Sequence, residues 1–96
     1  MKVLICYDVG TTTQGGARRL REIARACADF GQRVQYSVFE CSIGRKQWAE
    51  LRLRLLSTMS ATEDSVRVYF LTEDVVEHIQ HYGIKKPRDL EGPLIA

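Results

Sequence analysis

Between residues 32 and 43 the chain reads Gln-Arg-Val-Gln-Tyr-Ser-Val-Phe-Glu-Cys-Ser-Ile, a stretch of strand-forming composition set between two segments of helical periodicity. An average strand needs only about five or six residues. This stretch therefore predicts two strands, broken near Tyr36-Ser37 and paired as a hairpin. Before it, from about Ala17 to Phe30, Leu20, Ile23, Ala24 and Cys27 recur at three- and four-residue spacing and make one apolar helical stripe. Gly31 follows where a helix C-cap belongs. After it, Gly44 punctuates, and Arg45 to about Met59 predicts a second helix with Trp48, Leu51, Leu55 and Met59 as its buried stripe. The outer strands are equally plain. Val3-Leu4-Ile5-Cys6-Tyr7 is a continuous apolar run, and in Val66–Leu71 the residues Val66, Val68 and Phe70 alternate with Arg67 and Tyr69.

The resulting order, β-α-β-β-α-β, predicts an α+β, ferredoxin-like arrangement with two helices on one face of an antiparallel sheet. A doubly wound parallel fold needs more strand–helix units than 96 residues supply. One domain is expected over residues 1–82, with Val75–Tyr82 a further short strand or an irregular segment and 83–96 a tail. A core this small gains from a partner that hides further apolar surface.

Composition excludes several classes of function. Hydrophobic residues make up 45% of the chain and charged ones 27%, so it is neither disordered nor membrane-spanning. The start is not a signal peptide, since the apolar run ends at an acid, and the protein is expected to stay in the cytoplasm. Cys6, Cys27 and Cys41 are odd in number and widely spaced, which fits small buried hydrophobes in a reducing compartment better than a zinc site. His78-Ile79-Gln80-His81 lacks the partners of a metal motif, and Gly15-Gly16 lacks the Gly-Lys-Ser/Thr ending of a phosphate loop. Charge is unevenly placed: residues 1–54 hold ten Lys/Arg against five Asp/Glu, and residues 55–96 hold four against seven. Basic clustering of this kind is the footprint expected for a phosphate backbone, although a solvated helix face carries the same pattern.

Asp8 closes the first strand and precedes a Gly/Thr loop. A carboxylate there can project into a groove and hold a hard cation such as magnesium, which takes oxygen ligands and needs only one or two protein carboxylates. The alternative is a local Asx-turn near Gly10 or a cap on the following helix. No second acid lies near Asp8 in sequence, so a metal site there requires help from elsewhere in the fold or from a second chain. Arg18, Arg19, Arg21, Arg25 and Arg33 offer forked donors to phosphate oxygens. Tyr7, Tyr36 and Phe39 suit base stacking or plain packing.

Three segments carry a resemblance: Val3-Leu4-Ile5-Cys6-Tyr7-Asp8-Val9, the helical Arg19-Leu20-Arg21, and Gly31-Gln32-Arg33-Val34-Gln35-Tyr36-Ser37-Val38-Phe39-Glu40. Together with the helix bearing Trp48 and the strand Asp64-Ser65-Val66-Arg67-Val68-Tyr69, they resemble the small CRISPR-associated endoribonuclease/endonuclease family of the adaptation module, over nearly the whole chain. The resemblance implies a homodimer whose extra C-terminal strand crosses to the partner's sheet. It also implies that Asp8 of each chain meets its counterpart near the two-fold axis and holds magnesium or manganese. Metal-dependent cleavage of single-stranded RNA or double-stranded DNA follows as the expected activity. Arg18, Arg19, Arg21 and Arg33 become the nucleic-acid-binding candidates, with Tyr7 and Phe39 lining or supporting the site. The CRISPR integrase is the implied partner, and a non-catalytic scaffold that holds DNA and bridges that integrase is the alternative. A ligand-sensing ferredoxin-like regulator is a third reading, which gives no reason for the arginines of the first half.

Overall fold

The computed structural model describes residues 1–84. Strand β1 (Lys2–Asp8) leads into helix α1 (Gly16–Phe30), the hairpin β2 (Gln32–Gln35) and β3 (Val38–Ser42), helix α2 (Arg45–Thr58), strand β4 (Ser65–Leu71) and a short helix α3 (Glu73–Glu77). The sheet order is β2-β3-β1-β4 and every neighbouring pair is antiparallel. Because β3 lies between the two strands that α1 connects, this is the split ferredoxin-like arrangement the sequence predicts.

Alternation along β1 assigns its two faces. Val3, Ile5 and Tyr7 are buried, while Lys2, Leu4, Cys6 and Asp8 point the other way. Register carries the buried set sideways: Val3 opposes Cys41 and Phe70, and Ile5 opposes Phe39 and Val68. Ile23, Ala26 and Cys27 of α1 and Leu51 and Leu55 of α2 close over this face. The two helices pack on each other, and Arg54 Nη1 donates to Asp29 Oδ2 at 2.8 Å between them. Phe70, though 57% exposed, sets its ring edge-on to Trp48 at 5.3 Å and so extends the core to the outer strand. The opposite face of the sheet, with Leu4, Cys6, Val38, Tyr69 and Leu71, is covered by neither α1 nor α2, and among the described residues only α3 lies near it, beside Lys2, Ser42 and Leu71.

Three glycines fix the two connections of α1. Gly15 has φ +83°, and a Cβ on Gly16 would stand 2.1 Å from the Gly10 carbonyl oxygen, so α1 starts against the end of β1 only because no side chain intervenes. Gly31 does end α1, its N–H bonding Cys27 O, but in extended backbone; what requires glycine there is a Cβ position 2.4 Å from Cys41 Sγ.

The segment Val75–Tyr82, expected as a short strand or an irregular stretch, is irregular only after its first residues. Its β-branched residues suggest a strand, yet Glu73–Glu77 is helical and no regular element follows as far as Ile84. The Thr72 hydroxyl accepts from the Val75 N–H at 3.4 Å, and Glu73 and Asp74 occupy the first turn, where acids favour a helix start. The extra C-terminal strand expected at Val75–Tyr82 is therefore not formed there, and the tail beyond Ile84 lies outside the described residues.

Candidate functional site

Asp8 is exposed at the end of β1, opposite Ser65 of β4, and on the uncovered face of the sheet. It forms no hydrogen bond or ion pair among the described residues. The two local roles open to it are filled by others. The Gly10 N–H donates to Asp64 Oδ1 at 3.1 Å, and the residue capping α1 is Gly15. The Asp8 carboxylate is left unengaged, a hard oxygen donor with room for a cation's waters.

Asp64, just before β4, is the residue that sequence reasoning missed. Its side chain has 0% exposure and accepts from Arg19 Nε at 2.8 Å, from the Ser60 N–H at 2.8 Å and from the Gly10 N–H. The Arg19 guanidinium foremost, then the Ser60 and Gly10 amides, hold its carboxyl below the usual aspartate range against burial, which acts the other way. Arg19 Nη2 also reaches Glu63 Oε2 at 3.1 Å and the Gly10 carbonyl oxygen at 3.3 Å. Arg19 is therefore occupied in tying the loop after Asp8 to the loop before β4. Its position differs from the open one that phosphate binding calls for, because two acids 44 and 45 residues away in the chain neutralise it.

The other arginines are placed differently. Arg18 is exposed and paired with Glu22 at 3.0 Å on the same helix. Arg21 and Arg25 are exposed on α1, and neither forms an ion pair among the described residues. Arg33 of β2 lies over the Phe39 ring at 5.1 Å and the Tyr36 ring at 5.7 Å. Tyr7 and Phe39 stack beneath it, ring centroids 6.2 Å apart at 23°. Burial pushes the Tyr7 phenol up, with Arg33 drawing it partly back. The structure thus brings Tyr7, Phe39, Arg33 and Arg21 together at one end of the sheet, beside Asp8 in the chain but on the helix-covered side of β1.

All three cysteines are free thiols. Cys27 and Cys41 are buried as small hydrophobes, and burial above all pushes the Cys27 thiol up to about 12. No helix among the described residues is long and apolar enough to cross a membrane.

Comparison with known proteins agrees with this arrangement. Residues 1–79 match the family model for CRISPR associated protein Cas2. The chain is 53% identical over 95 residues to the CRISPR-associated endoribonuclease Cas2 of Chlorobaculum tepidum, covering 99% of each. It is 47% identical, again over 99% of each, to the CRISPR-associated endonuclease Cas2 of Halalkalibacterium halodurans. Among solved structures it is similar to Streptococcus pyogenes Cas2, with a TM-score of 0.76 and 41% identity over 86% of this chain and 100% of that one. A strand-end acid, a split antiparallel sheet and full-length similarity converge on one conclusion: this chain belongs to the Cas2 family of CRISPR-associated proteins.

Proposed function

We propose that this protein is a nuclease of the CRISPR adaptation module that hydrolyses phosphodiester bonds in RNA or DNA, and that it works as a homodimer with Asp8 of both protomers at the reaction centre. The observation that carries this reading is the unengaged Asp8 carboxylate at the end of an uncovered sheet face. Leu4, Cys6, Val38 and Leu71 are half-buried on that face and Tyr69 is 43% exposed, which suits closure by a second copy. Face-to-face pairing about a two-fold axis running along β1 would bring two Asp8 residues to one end of the assembly.

The donor set fits a hard divalent cation. One chain supplies one carboxylate, two chains supply two, and magnesium or manganese so held keeps its remaining positions for water and phosphate oxygens. Such an ion, when bound, neutralises charge at a phosphoryl oxygen and lowers the pKa of a water. Two carboxylates sharing a site resist joint ionisation, which a cation relieves. This chain's own residues do the rest. Arg18, Arg21 and Arg33 draw the phosphate backbone to that end, the Tyr7–Phe39 stack fixes Arg33 from below, and the Arg19–Asp64 clamp holds the loop that follows Asp8. A purely structural role is proposed for Arg19. Action in the cytoplasm, away from any membrane, fits such substrates.

Metal-titrated cleavage of defined RNA and DNA strands by the wild type and Asp8→Ala tests the reading. Activity that needs the metal and disappears in the variant supports it; activity that survives in the variant or under chelation refutes it. A second reading is favoured by Asp8 being the one unengaged carboxylate at that strand end among the described residues: a scaffold whose basic surface holds DNA for the CRISPR integrase. Spacer acquisition that persists in Asp8→Ala cells would then point to holding, not cutting.

A further inference from the structure

Between α1 and the β2–β3 hairpin lies a cavity of about 190 Å³, lined by Arg21, Arg25, Arg33, Tyr7 and Tyr36, with Leu20 and Ala24 as its apolar wall. No carboxylate of the described residues lines it. Every other arginine of the α1 segment has an acid: Arg18 has Glu22, and Arg19 has Asp64 and Glu63. Arg21, Arg25 and Arg33 have none among the described residues. Arg21 and Arg25 are four residues apart on one helix, a like-charge spacing that weakens a helix slightly unless something neutralises it. Arg33 Nε is buried and has no hydrogen-bond partner among the described residues, while its guanidinium carbon lies over two aromatic rings. Among the described residues the Tyr7 hydroxyl donates one long hydrogen bond, 3.5 Å, to the Tyr36 carbonyl oxygen, and the Arg33 guanidinium lies close enough to act on it. Donors in excess and positive charge in excess line one small space, and one of the three guanidiniums carries a buried N–H that nothing among the described residues accepts.

We propose that this cavity binds the terminal phosphate monoester of a nucleic-acid strand, held by Arg21, Arg25 and Arg33 with the Tyr7 hydroxyl. Size and charge select that group. Sites for drug-sized ligands run to about 300–1,000 Å³, so this one takes a phosphate and part of a sugar, and the adjoining groove of about 370 Å³ past Ala28 and Gly31, which shares Arg25 and Arg33, leaves room for the rest of the strand. A monoester carries about −1.5 to −2 charges near neutrality, closer to balancing three guanidiniums than the single charge of an internal diester. Tyr36, 38% exposed at the rim, offers a face for the terminal base. The site is separate from Asp8: Tyr7 points to the helix side of β1 and Asp8 to the other.

The assignment rests on the nucleic-acid reading above but not on cleavage. The test is binding of internally labelled strands by the full chain in the presence of chelator. The strands are matched in sequence and end in a 5′-phosphate, a 3′-phosphate or hydroxyls only. One phosphorylated end should bind about tenfold tighter than the hydroxyl strand, the effect of one charge-assisted contact. Arg25→Gln, whose side chain is exposed and whose loss leaves the fold intact, should erase that preference, and Asp8→Ala should keep it while losing cleavage. Equal binding of all three strands, or a preference that survives Arg25→Gln, overturns the proposal. A preference lost in Asp8→Ala would move the phosphate to the other side of the sheet and overturn it too. Adenosine monophosphate binding as tightly as the phosphorylated strand would make the site one for a free nucleotide and reject the strand-end assignment. A protein that cleaves nothing but keeps the Arg25-dependent preference would refute the nuclease reading alone.

Discussion

Arg19 and Arg33 sit on opposite flanks of the first strand's end, and the fold treats them in opposite ways. Arg19 meets a fully buried carboxylate, a second acid and a backbone carbonyl, so its charge is answered inside the fold. Arg33 meets two aromatic faces and, among the described residues, no acid. The first arrangement holds two loops together; the second leaves positive charge available to an outside anion. The difference teaches that an arginine's surroundings, not its membership of a cluster, decide whether it stabilises the protein or binds something.

The largest expected effect tests the inward-facing side. Asp64→Ala removes the acceptor of two backbone N–H groups and a guanidinium, and should cost about 2–3 kcal/mol of stability by denaturant unfolding. Nucleic-acid binding should keep its salt dependence in that variant at temperatures where it is folded. A change below about half a kcal/mol would show that the clamp is ornamental to the fold.

Acid should reveal the same clamp. Because the folded Asp64 carboxyl titrates below its ordinary value of 3.8, its contribution is complete above that value and is lost as pH falls through the lowered folded one. The wild type should therefore lose stability more steeply than Asp64→Asn below about pH 4 in pH-resolved melting curves. Parallel curves would contradict the assignment.

On the outward-facing side the readout is salt. Arg21→Ala should weaken binding across sequences and reduce the slope of log affinity against log salt by about one, with melting nearly unchanged. Arg18→Ala should do less, since Glu22 already neutralises part of its charge, and should shift the melting temperature by no more than about 3 °C. An Arg18 effect larger than that of Arg21 would reverse the proposed order of the two.

Much of the fold is legible in the chain itself. The hairpin follows from a strand-forming stretch too long for one strand, and both helices follow from apolar spacing that the structure places against the core. The short helix after β4 is not, because Val75, Val76 and Ile79 carry strand propensity and only the Thr72 cap with Glu73 and Asp74 tips the balance. At the site, Asp8 stands out as an acid ending an apolar strand. Arg19 could not be separated from Arg18 and Arg21 by any local pattern, since its partners lie 44 and 45 residues away. Asp64 stayed hidden for the same reason: an acid in a polar loop reads as solvated until the fold buries it.

Subunit mixing tests the shared-site account most directly. Wild-type and Asp8→Asn protomers, distinguishable by tag and allowed to exchange in equal amounts, form dimers in statistical proportion. If each reaction centre needs both carboxylates, cleavage should fall to about a quarter of that of the same total amount of wild type. A fall to only about half, the fraction of intact chains, would mean that each Asp8 acts alone and would contradict the two-fold site.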